Sequence, residues 1–175
     1  MPTTANPNDR IAWLRVSSCY LPLAKPVSDA KVLTGRQKPM TEIAMLFAEV
    51  ETTDGHRGLG FSYSKRAGGP GQFAHAKEIA PVLIGEDPSD IAKLWMKLCW
   101  AGASVGRSGL STQAIGAFDV ALYDLKAKRA GLSLNEPLEI KNGRMIVPMR
   151  LGLGVTLSEQ AQAWTRESAE VGKRA

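Results

Sequence analysis

A β-hairpin pattern followed by three helical patterns constrains the fold of this chain most strongly. Residues 40–64 place apolar side chains on both faces of an alternating strand, Asp54-Gly55 supplies a turn, and a return strand follows over residues 57–63. The glycines of the return strand suggest that another backbone approaches it closely. A further strand is predicted over residues 10–20. Since strands come first and helices follow, we predict an α+β fold in which a three-stranded antiparallel meander packs on a helical bundle.

Apolar residues recur three and four positions apart in the helical segments, so each helix presents one face to a core. The first helix is predicted over residues 72–83, where Pro81 kinks or ends it. The second is predicted to begin with Asp87 as N-cap and Pro88 in the first helical position, and the third with Ser111 as cap. The predicted core positions are Phe73, Ala76, Ile79 (or Ala80) and Leu83, then Ile91, Leu94, Trp95, Leu98 and Cys99, then Ile115, Phe118, Leu122 and Leu125.

The C-terminal region, residues 135–175, is predicted to form a tail that packs on a domain formed by residues 1–134. Within this tail Asn142-Gly143 predicts the turn of a short hairpin. A short helix is predicted over residues 158–169, with Ser158 as its cap.

Length and composition exclude several classes of protein. The chain has 175 residues, enough for one domain with or without a tail, and a formal net charge of +5. No helix-turn-helix signature, zinc-ligand spacing or RNP motif accompanies this basic charge, so nucleic acid is not an expected partner. No apolar run approaches the roughly 18 residues that span a membrane, and the polar N-terminus does not resemble a signal peptide. We therefore expect a cytoplasmic protein in which Cys19 and Cys99 are reduced core residues.

Two irregular basic loops are the best candidates for a functional site. Residues 21–39 carry three prolines and four basic residues without a helix or strand period, and a second basic loop follows at residues 64–71. Lysine and arginine suit carboxylates because charge-assisted hydrogen bonds are stronger than neutral ones, and hydroxyl side chains suit polyols. The candidates are Lys31, Thr34, Arg36 and Lys38 in the first loop, and Tyr63, Lys65 and Arg66 in or beside the second. The alternative is a pair of solvated loops without a ligand.

The remaining titratable residues favour structural roles. The sequence contains neither a His-Glu-x-x-His nor a Cys-x-x-Cys motif, and His56 and His75, the latter expected on a helix surface, lack a partner at ligand spacing. Asp119 is predicted to make a structural hydrogen bond, and Asp124 a surface ion pair with Lys128. We therefore assign neither a catalytic residue nor a metal ligand to this chain.

Several strings of the sequence resemble one family. STQAIGAFDVALYDLKAKRAGLSL is similar to the helix that closes the N-terminal capping domain of mandelate-racemase-like acid-sugar dehydratases, which belong to the enolase superfamily. SDAKVLTGRQKPMTEIA and GLGFSYSKRAGGPGQFAHA resemble the cap of the galactarate/L-talarate dehydratase group. RMIVPMRLGLGVTL resembles the family's C-terminal segment, with Leu151 in place of a proline. The resemblance spans nearly all of residues 11–170.

The resemblance implies that the cap selects the substrate. In the family two cap loops close over the substrate, and here they match residues 21–39 and 60–71. Asp29, inside the first matched string, joins the expected substrate-binding residues. The family's barrel supplies a Lys-x-Lys pair, three acidic Mg²⁺ ligands and a His-Asp dyad, and Mg²⁺ stabilises the enediolate formed when the proton next to a carboxylate is removed. The implied ligand is an acid-sugar dicarboxylate.

No segment of the sequence matches the family's barrel. A (β/α)8 barrel typically needs about 250 residues, and the only Lys-x-Lys pattern, Lys126 with Lys128, lies on a predicted cap helix. We expect a capping domain that is inactive without the barrel and holds no cofactor of its own, with Mg²⁺ bound in the intact enzyme. We also expect self-association through the apolar surface that would face the barrel. Two alternatives stay open: a partial sequence of an intact dehydratase, and a small anion-binding or protein-interaction module.

Overall fold

The computed structural model describes residues 6–65, 67–133, 139–141, 144–146 and 151–175. Short 3₁₀ turns follow two of the helices. In chain order the strands and helices are β1 (Ile11–Val27), α1 (Ala30–Leu33), β2 (Met40–Thr52), β3 (Arg57–Ser64), α2 (Gly69–Ile79), α3 (Ile91–Ala101), α4 (Leu110–Arg129), β4 (Glu139–Lys141), β5 (Arg144–Ile146), α5 (Glu159–Ala163) and β6 (Thr165–Gly172).

The main sheet is antiparallel and has the strand order β3-β2-β1-β6. The prediction of an α+β fold with an antiparallel β1-β2-β3 meander is confirmed, with Leu14 opposite Val50 and Met45 opposite Tyr63. The predicted C-terminal hairpin also forms, since β4 pairs with β5, while its turn residues lie outside the described part of the chain.

The prediction of a helix over residues 158–169 was wrong beyond Ala163. Residues Thr165–Gly172 form β6, which pairs with β1 as a fourth strand, with Val16 opposite Ala169. The physical reason is tertiary: pairing satisfies backbone groups along the open edge of β1, and Ala169 packs against the core. Local propensity could not report this, because the edge of β1 is far away in the sequence.

The first predicted loop is shorter than expected. β1 continues to Val27, and α1 occupies part of what was predicted as irregular chain. Pro22 and Pro26 are compatible with the strand because β6 pairs with β1 only as far as Cys19, which leaves that edge of β1 without a strand partner among the described residues. The second loop also shortens, since β3 reaches Ser64 and α2 begins at Gly69.

Helices α2 and α4 pack on the sheet, α3 packs on α4 and on the 3₁₀ turn after α2, and together they enclose the core. Every predicted core position on α2 and α4 is buried, and α3 buries Ile91, Leu94 and Leu98 while Trp95 and Cys99 pack partly buried against them. The α-helix stops before Pro81, as predicted. No helix in the described ranges is long and apolar enough to cross a membrane.

Two helix starts and one histidine differ from the predictions. Asp90, not Asp87, caps α3, because the Asp87 carboxylate instead accepts hydrogen bonds from the backbone and hydroxyl of Ser89 in a local turn. Ser111 is not a cap but lies inside α4, where its hydroxyl meets the ring of His75. His75 is therefore buried between α2 and α4 rather than on a helix surface.

Asp124 ties α4, β3 and the C-terminal segment together. Its side chain is fully buried. Oδ2 accepts hydrogen bonds from the backbone N–H of Leu59 at 2.8 Å and from Lys128 Nζ at 2.7 Å, and Oδ1 accepts one from the Leu153 N–H. The prediction of a pair with Lys128 was right about the partner and wrong about the environment, because β3 and the segment around Leu153 cover this part of α4.

Replacing Asp124 with asparagine should destabilise the fold. An amide has one oxygen, so it cannot accept hydrogen bonds from both the Leu59 and the Leu153 N–H groups as the two carboxylate oxygens do. It also leaves Lys128 without its opposite charge. We expect the free energy of unfolding in urea to fall by about 3 kcal/mol.

Asp119 on the same helix gives a matched control for Asp124. Burial raises the pKa of the Asp119 carboxyl, so folding disfavours its charged form, and stability is lost as the pH rises through that raised pKa. Asp119→Asn should therefore be neutral or slightly stabilising at pH 7, and the difference should vanish at pH values below the ordinary carboxyl pKa. Equal losses for the two variants would contradict the role given to Asp124.

Glycine allows β3 to lie directly against α4. A Cβ on Gly60 would overlap the carbonyl oxygen of Ala117, and a Cβ on Gly58 would overlap that of Ala121. The close backbone approach predicted from these glycines is thus confirmed.

Alanine should have opposite effects at Gly60 and Gly116. Gly60→Ala must push β3 away from α4, and we expect a loss of about 2 kcal/mol or more in unfolding free energy. Gly116 lies within α4, and a Cβ there would meet no neighbouring element of the described chain within 4 Å, so Gly116→Ala should gain up to about 1 kcal/mol. Chemical denaturation of both variants checks this, and a Gly60→Ala protein as stable as the parent would refute the close packing.

Candidate functional site

A cleft of about 400 Å³ opens where the two basic loops meet. Antiparallel pairing of β2 with β3 sets Ala44 opposite Ser64, so the start of β2 lies beside the end of β3. The chain entering β2 and the chain leaving β3 therefore share one end of the sheet. The residues that line the cleft are Tyr20, Gln37, Lys38, Pro39, Met40, Thr41, Glu42, Ala44, Ser64, Lys65, Ala67, Gly68, Gly69 and Pro70.

The first turn of α2 forms one wall of the cleft. Gly68 has a φ of 96°, a left-handed conformation that turns the chain from β3 into the helix. Gly69 then packs so tightly that a Cβ there would lie 2.6 Å from Ala44 Cβ and 3.1 Å from the Tyr20 hydroxyl. The N-terminal end of α2, which carries partial positive charge, is thereby fixed at the edge of the cleft.

Among the described residues that line the cleft, the charged ones are Lys38, Lys65 and Glu42. Lys38 comes from the first loop and Lys65 from the second, and both are exposed. Glu42 is paired with Arg166 of β6, with an Nη2–Oε2 distance of 2.7 Å. With Glu42 neutralised in this way, the cleft favours an anionic ligand.

The lining of the cleft does not include the other predicted site residues that the structure describes, which are Asp29, Lys31, Thr34, Arg36 and Tyr63. Asp29 caps α1, because its Oδ1 accepts hydrogen bonds from the N–H groups of Lys31 and Val32. The Thr34 hydroxyl donates to the carbonyl of Ala30 at 2.8 Å, so it closes the same helical turn. Lys31 is exposed on α1.

The remaining predicted site residues are Arg36, Tyr63 and Arg66. Arg36 is exposed just after α1, and its backbone N–H donates to the Lys31 carbonyl. Tyr63 and Lys65 line a shallow depression on β3 together with Phe61, Ser62 and Gln113. Arg66 lies outside the described residues.

The sequence did not predict the lining residues Tyr20 and Glu42, nor Arg166, which contacts both of them. Tyr20 and Glu42 sit on neighbouring strands near the ends of their pairing, where Tyr20 lies opposite Ala44 and Pro22 opposite Glu42. A correct β1-β2 register would have been enough to find this pair. Arg166 gave no such signal, since its segment was predicted as helix.

One group of residues has the composition of a metal site but not its electrostatics. Ligand atoms of Asp9, Asp54 and His56 lie within 4.8 Å of one another at the end of the sheet opposite the cleft. However, Asp9 Oδ1 already accepts hydrogen bonds from Thr53 Oγ1 and the Asp54 N–H, and its Oδ2 is ion-paired with Arg129. A guanidinium in this position opposes a divalent cation, so the group does not fit Mg²⁺.

Two further arrangements resemble catalytic motifs and do not support catalysis. The stretch Gly102-Ala103-Ser104-Val105-Gly106 has Gly-x-Ser-x-Gly spacing, but it forms a 3₁₀ turn after α3 and not a turn from a strand into a helix. His75 Nε2 and Ser111 Oγ are 3.2 Å apart and buried, and they join α2 to α4. Their role is a structural hydrogen bond.

Comparison with known proteins places the chain in a family. Residues 27–138 match the family model described as the mandelate racemase / muconate lactonizing enzyme, N-terminal domain. The chain belongs to the mandelate racemase / muconate lactonizing enzyme family. The resemblance found in the sequence is confirmed, and the matched range contains the second loop and residues 27–39 of the first. The α+β fold agrees with the N-terminal region of this family.

Individual members of the mandelate racemase / muconate lactonizing enzyme family are closely similar to the chain. It is 65% identical over 132 residues to L-talarate/galactarate dehydratase from Salmonella typhimurium LT2, covering 75% of this chain and 33% of that protein. The crystal structure of L-talarate dehydratase from Polaromonas sp. JS666, complexed with Mg and L-glucarate, is 88% identical with a TM-score of 0.70, covering 72% of this chain and 34% of the other.

The Salmonella typhimurium LT2 enzyme has also been solved, liganded with Mg and L-lyxarohydroxamate. It is 63% identical with a TM-score of 0.71, covering 75% of this chain and 35% of the other. The chain therefore spans about one third of the length of these family members.

Proposed function

We propose that this chain is the capping, substrate-selecting domain of a Mg²⁺-dependent acid-sugar dehydratase of the galactarate/L-talarate type. The observation that carries the proposal is the cleft, in which Lys38 and Lys65 from the two loops face one space. The similarity to dehydratases whose structures hold Mg and L-glucarate supports the ligand class. The ligand of the cleft is thus an acid-sugar dicarboxylate.

The lining of the cleft suits such a ligand chemically. Ammonium groups bind carboxylates through charge-assisted hydrogen bonds, and the first turn of α2 adds positive potential. Gln37, Thr41 and Ser64 add polar groups that suit the hydroxyls of a sugar acid. The cleft volume, about 400 Å³, is in the range of small-molecule sites.

We assign no chemical step to the described residues of the cleft. A dehydratase of this type needs a base beside the substrate's α-carbon and a metal for the enediolate. Lys38 and Lys65 act by binding, and the Asp9 group, at the far end of the sheet, does not fit Mg²⁺. The base, the acid and the metal ligands of the reaction are therefore assigned to the barrel of the complete enzyme, and this chain alone is proposed to be inactive.

A second candidate follows from the length comparison. Because the chain spans about one third of its relatives, its sequence also fits part of an intact dehydratase. Both candidates give the cleft the same ligand and differ only in whether a barrel is joined to it. The free thiols of Cys19 and Cys99 are consistent with the reducing cytoplasm that we propose for either form.

Removing the two cleft lysines should weaken dicarboxylate binding by the chain. We expect galactarate to bind with a dissociation constant in the millimolar range, and Lys38→Met/Lys65→Met to weaken binding about tenfold or more, since two charge-assisted contacts are lost. Isothermal titration calorimetry at low and moderate salt measures both, and added salt should weaken the parent complex.

Lys77→Met is the control for the lysine variants. Lys77 lies on the same helix that borders the cleft, but it is placed near the ring of Phe73 and not in the lining. This variant should bind galactarate like the parent. Absence of binding by the parent, or the same loss in Lys77→Met, would overturn the proposal, and magnesium-dependent dehydration of galactarate by the 175-residue chain would overturn the claim of inactivity.

Self-association through exposed apolar side chains stays a prediction. Met96 and Trp100 share one face of α3 and are 48% and 64% exposed. We expect light scattering after size-exclusion chromatography to give a mass above 18.8 kDa that increases with concentration. Met96→Glu/Trp100→Glu should shift the chain towards the monomer, and a monomer at all concentrations would refute the prediction.

A further inference from the structure

An arginine from the C-terminal strand reaches the cleft without lining it. Arg166 lies in β6, and its guanidinium carbon is 3.7 Å from the centroid of the Tyr20 ring. Its Nη2 is 2.7 Å from Oε2 of Glu42. Tyr20 and Glu42 both line the cleft, so Arg166 contacts two of its residues from outside.

An irregularity in strand pairing aims Arg166 at the cleft. Ser18 lies opposite Glu167, but the next residue of β1, Cys19, lies opposite Thr165. Arg166 is therefore the extra residue of a β-bulge, a feature that redirects a side chain. The Tyr20 N–H donates to the Trp164 carbonyl at 3.1 Å just beyond the bulge, which holds the two strands together at this point.

The pair with Glu42 changes the charge that a ligand meets. Among the described residues that line the cleft, Glu42 is the acidic one, and it would repel a dianion held by Lys38 and Lys65. The two side chains of the Arg166–Glu42 pair are 55% and 40% exposed, so the pair contributes little to stability by itself. Stacking on Tyr20 fixes the guanidinium and so keeps the Glu42 charge compensated.

We propose that Arg166 is a positioning residue that sets the preference of the cleft for dianionic over neutral sugar ligands. It acts through Glu42, whose charge it neutralises and whose carboxylate it holds, and through Tyr20, on which it stacks. This inference rests on the proposed function, because it concerns the ligand of the same cleft. It gives the C-terminal strand a part in ligand selection.

The test is a set of variants titrated with galactarate and with the neutral polyol galactitol. Arg166→Met exposes the ligand to the uncompensated charge of Glu42, and we expect about three- to tenfold weaker galactarate binding. Binding of galactitol should not change. Glu42→Gln in the Arg166→Met background should restore most of the galactarate affinity, a rescue that a merely structural role would not produce.

Arg174→Met is the matched control. Arg174 follows β6, stacks on Trp13 at 4.1 Å and pairs with Glu170, but at the opposite end of the sheet. The Arg174→Met variant should bind galactarate as tightly as the parent chain. Equal effects of Arg166→Met and Arg174→Met would overturn the inference.

Single variants keep the test decisive if Arg166→Met unfolds. Arg166→Lys keeps the charge without the planar stack and should give an intermediate affinity. Glu42→Gln alone leaves β6 intact and should bind galactarate at least as tightly as the parent, whereas a loss of affinity would make Glu42 a direct ligand and refute the inference. If the parent chain binds no galactarate, the proposed function fails and the inference fails with it. If the parent binds and the Arg166 variants match it, only the inference fails.

Discussion

The buried carboxylate of Asp124 is the interaction on which the arrangement of the sheet and its C-terminal strand rests. It draws the N–H of Leu59 in β3 and the N–H of Leu153 onto one side chain of α4. Glycine at position 60 lets β3 lie directly on that helix. A buried charge is tolerated here because each oxygen has a donor and Lys128 supplies the opposite charge. The segment that carries Leu153 then leads to α5 and β6.

The position of the cleft follows from antiparallel pairing. Because β2 and β3 run in opposite directions, the loop before β2 and the loop after β3 meet at one end of the sheet, although they are separated by the whole hairpin. β1 ends at the same place and contributes Tyr20. Antiparallel pairing of β6 with β1 likewise brings Arg166 to Glu42, which is 124 positions away in the sequence.

The folded sheet includes residues that lie outside the range matched by the family model. The match to the N-terminal domain covers residues 27–138, whereas β6 begins at Thr165 and completes the sheet through β1. The domain that forms the cleft therefore includes C-terminal chain that the family model does not cover.

The sequence by itself determined the β-meander, the three long helices and most residues of the core. Alternation predicted β1, β2 and β3, and the spacing of Ile115, Phe118, Leu122 and Leu125 predicted the buried face of α4. These features depend on residues that lie within a few positions of one another in the sequence. It also placed Lys38 and Lys65 in two basic loops, without showing that they face one cleft.

Only the tertiary structure decided the features that join distant segments. The residues of β6 have no strong local preference for a strand, and they become one because β1 offers unpaired backbone groups. Asp124 was predicted to lie at the surface, because nothing near it in the sequence indicates that β3 and Leu153 cover it. Tyr20, Glu42 and Arg166 come together through strand register and a bulge, and register is a property of paired strands that no single segment contains.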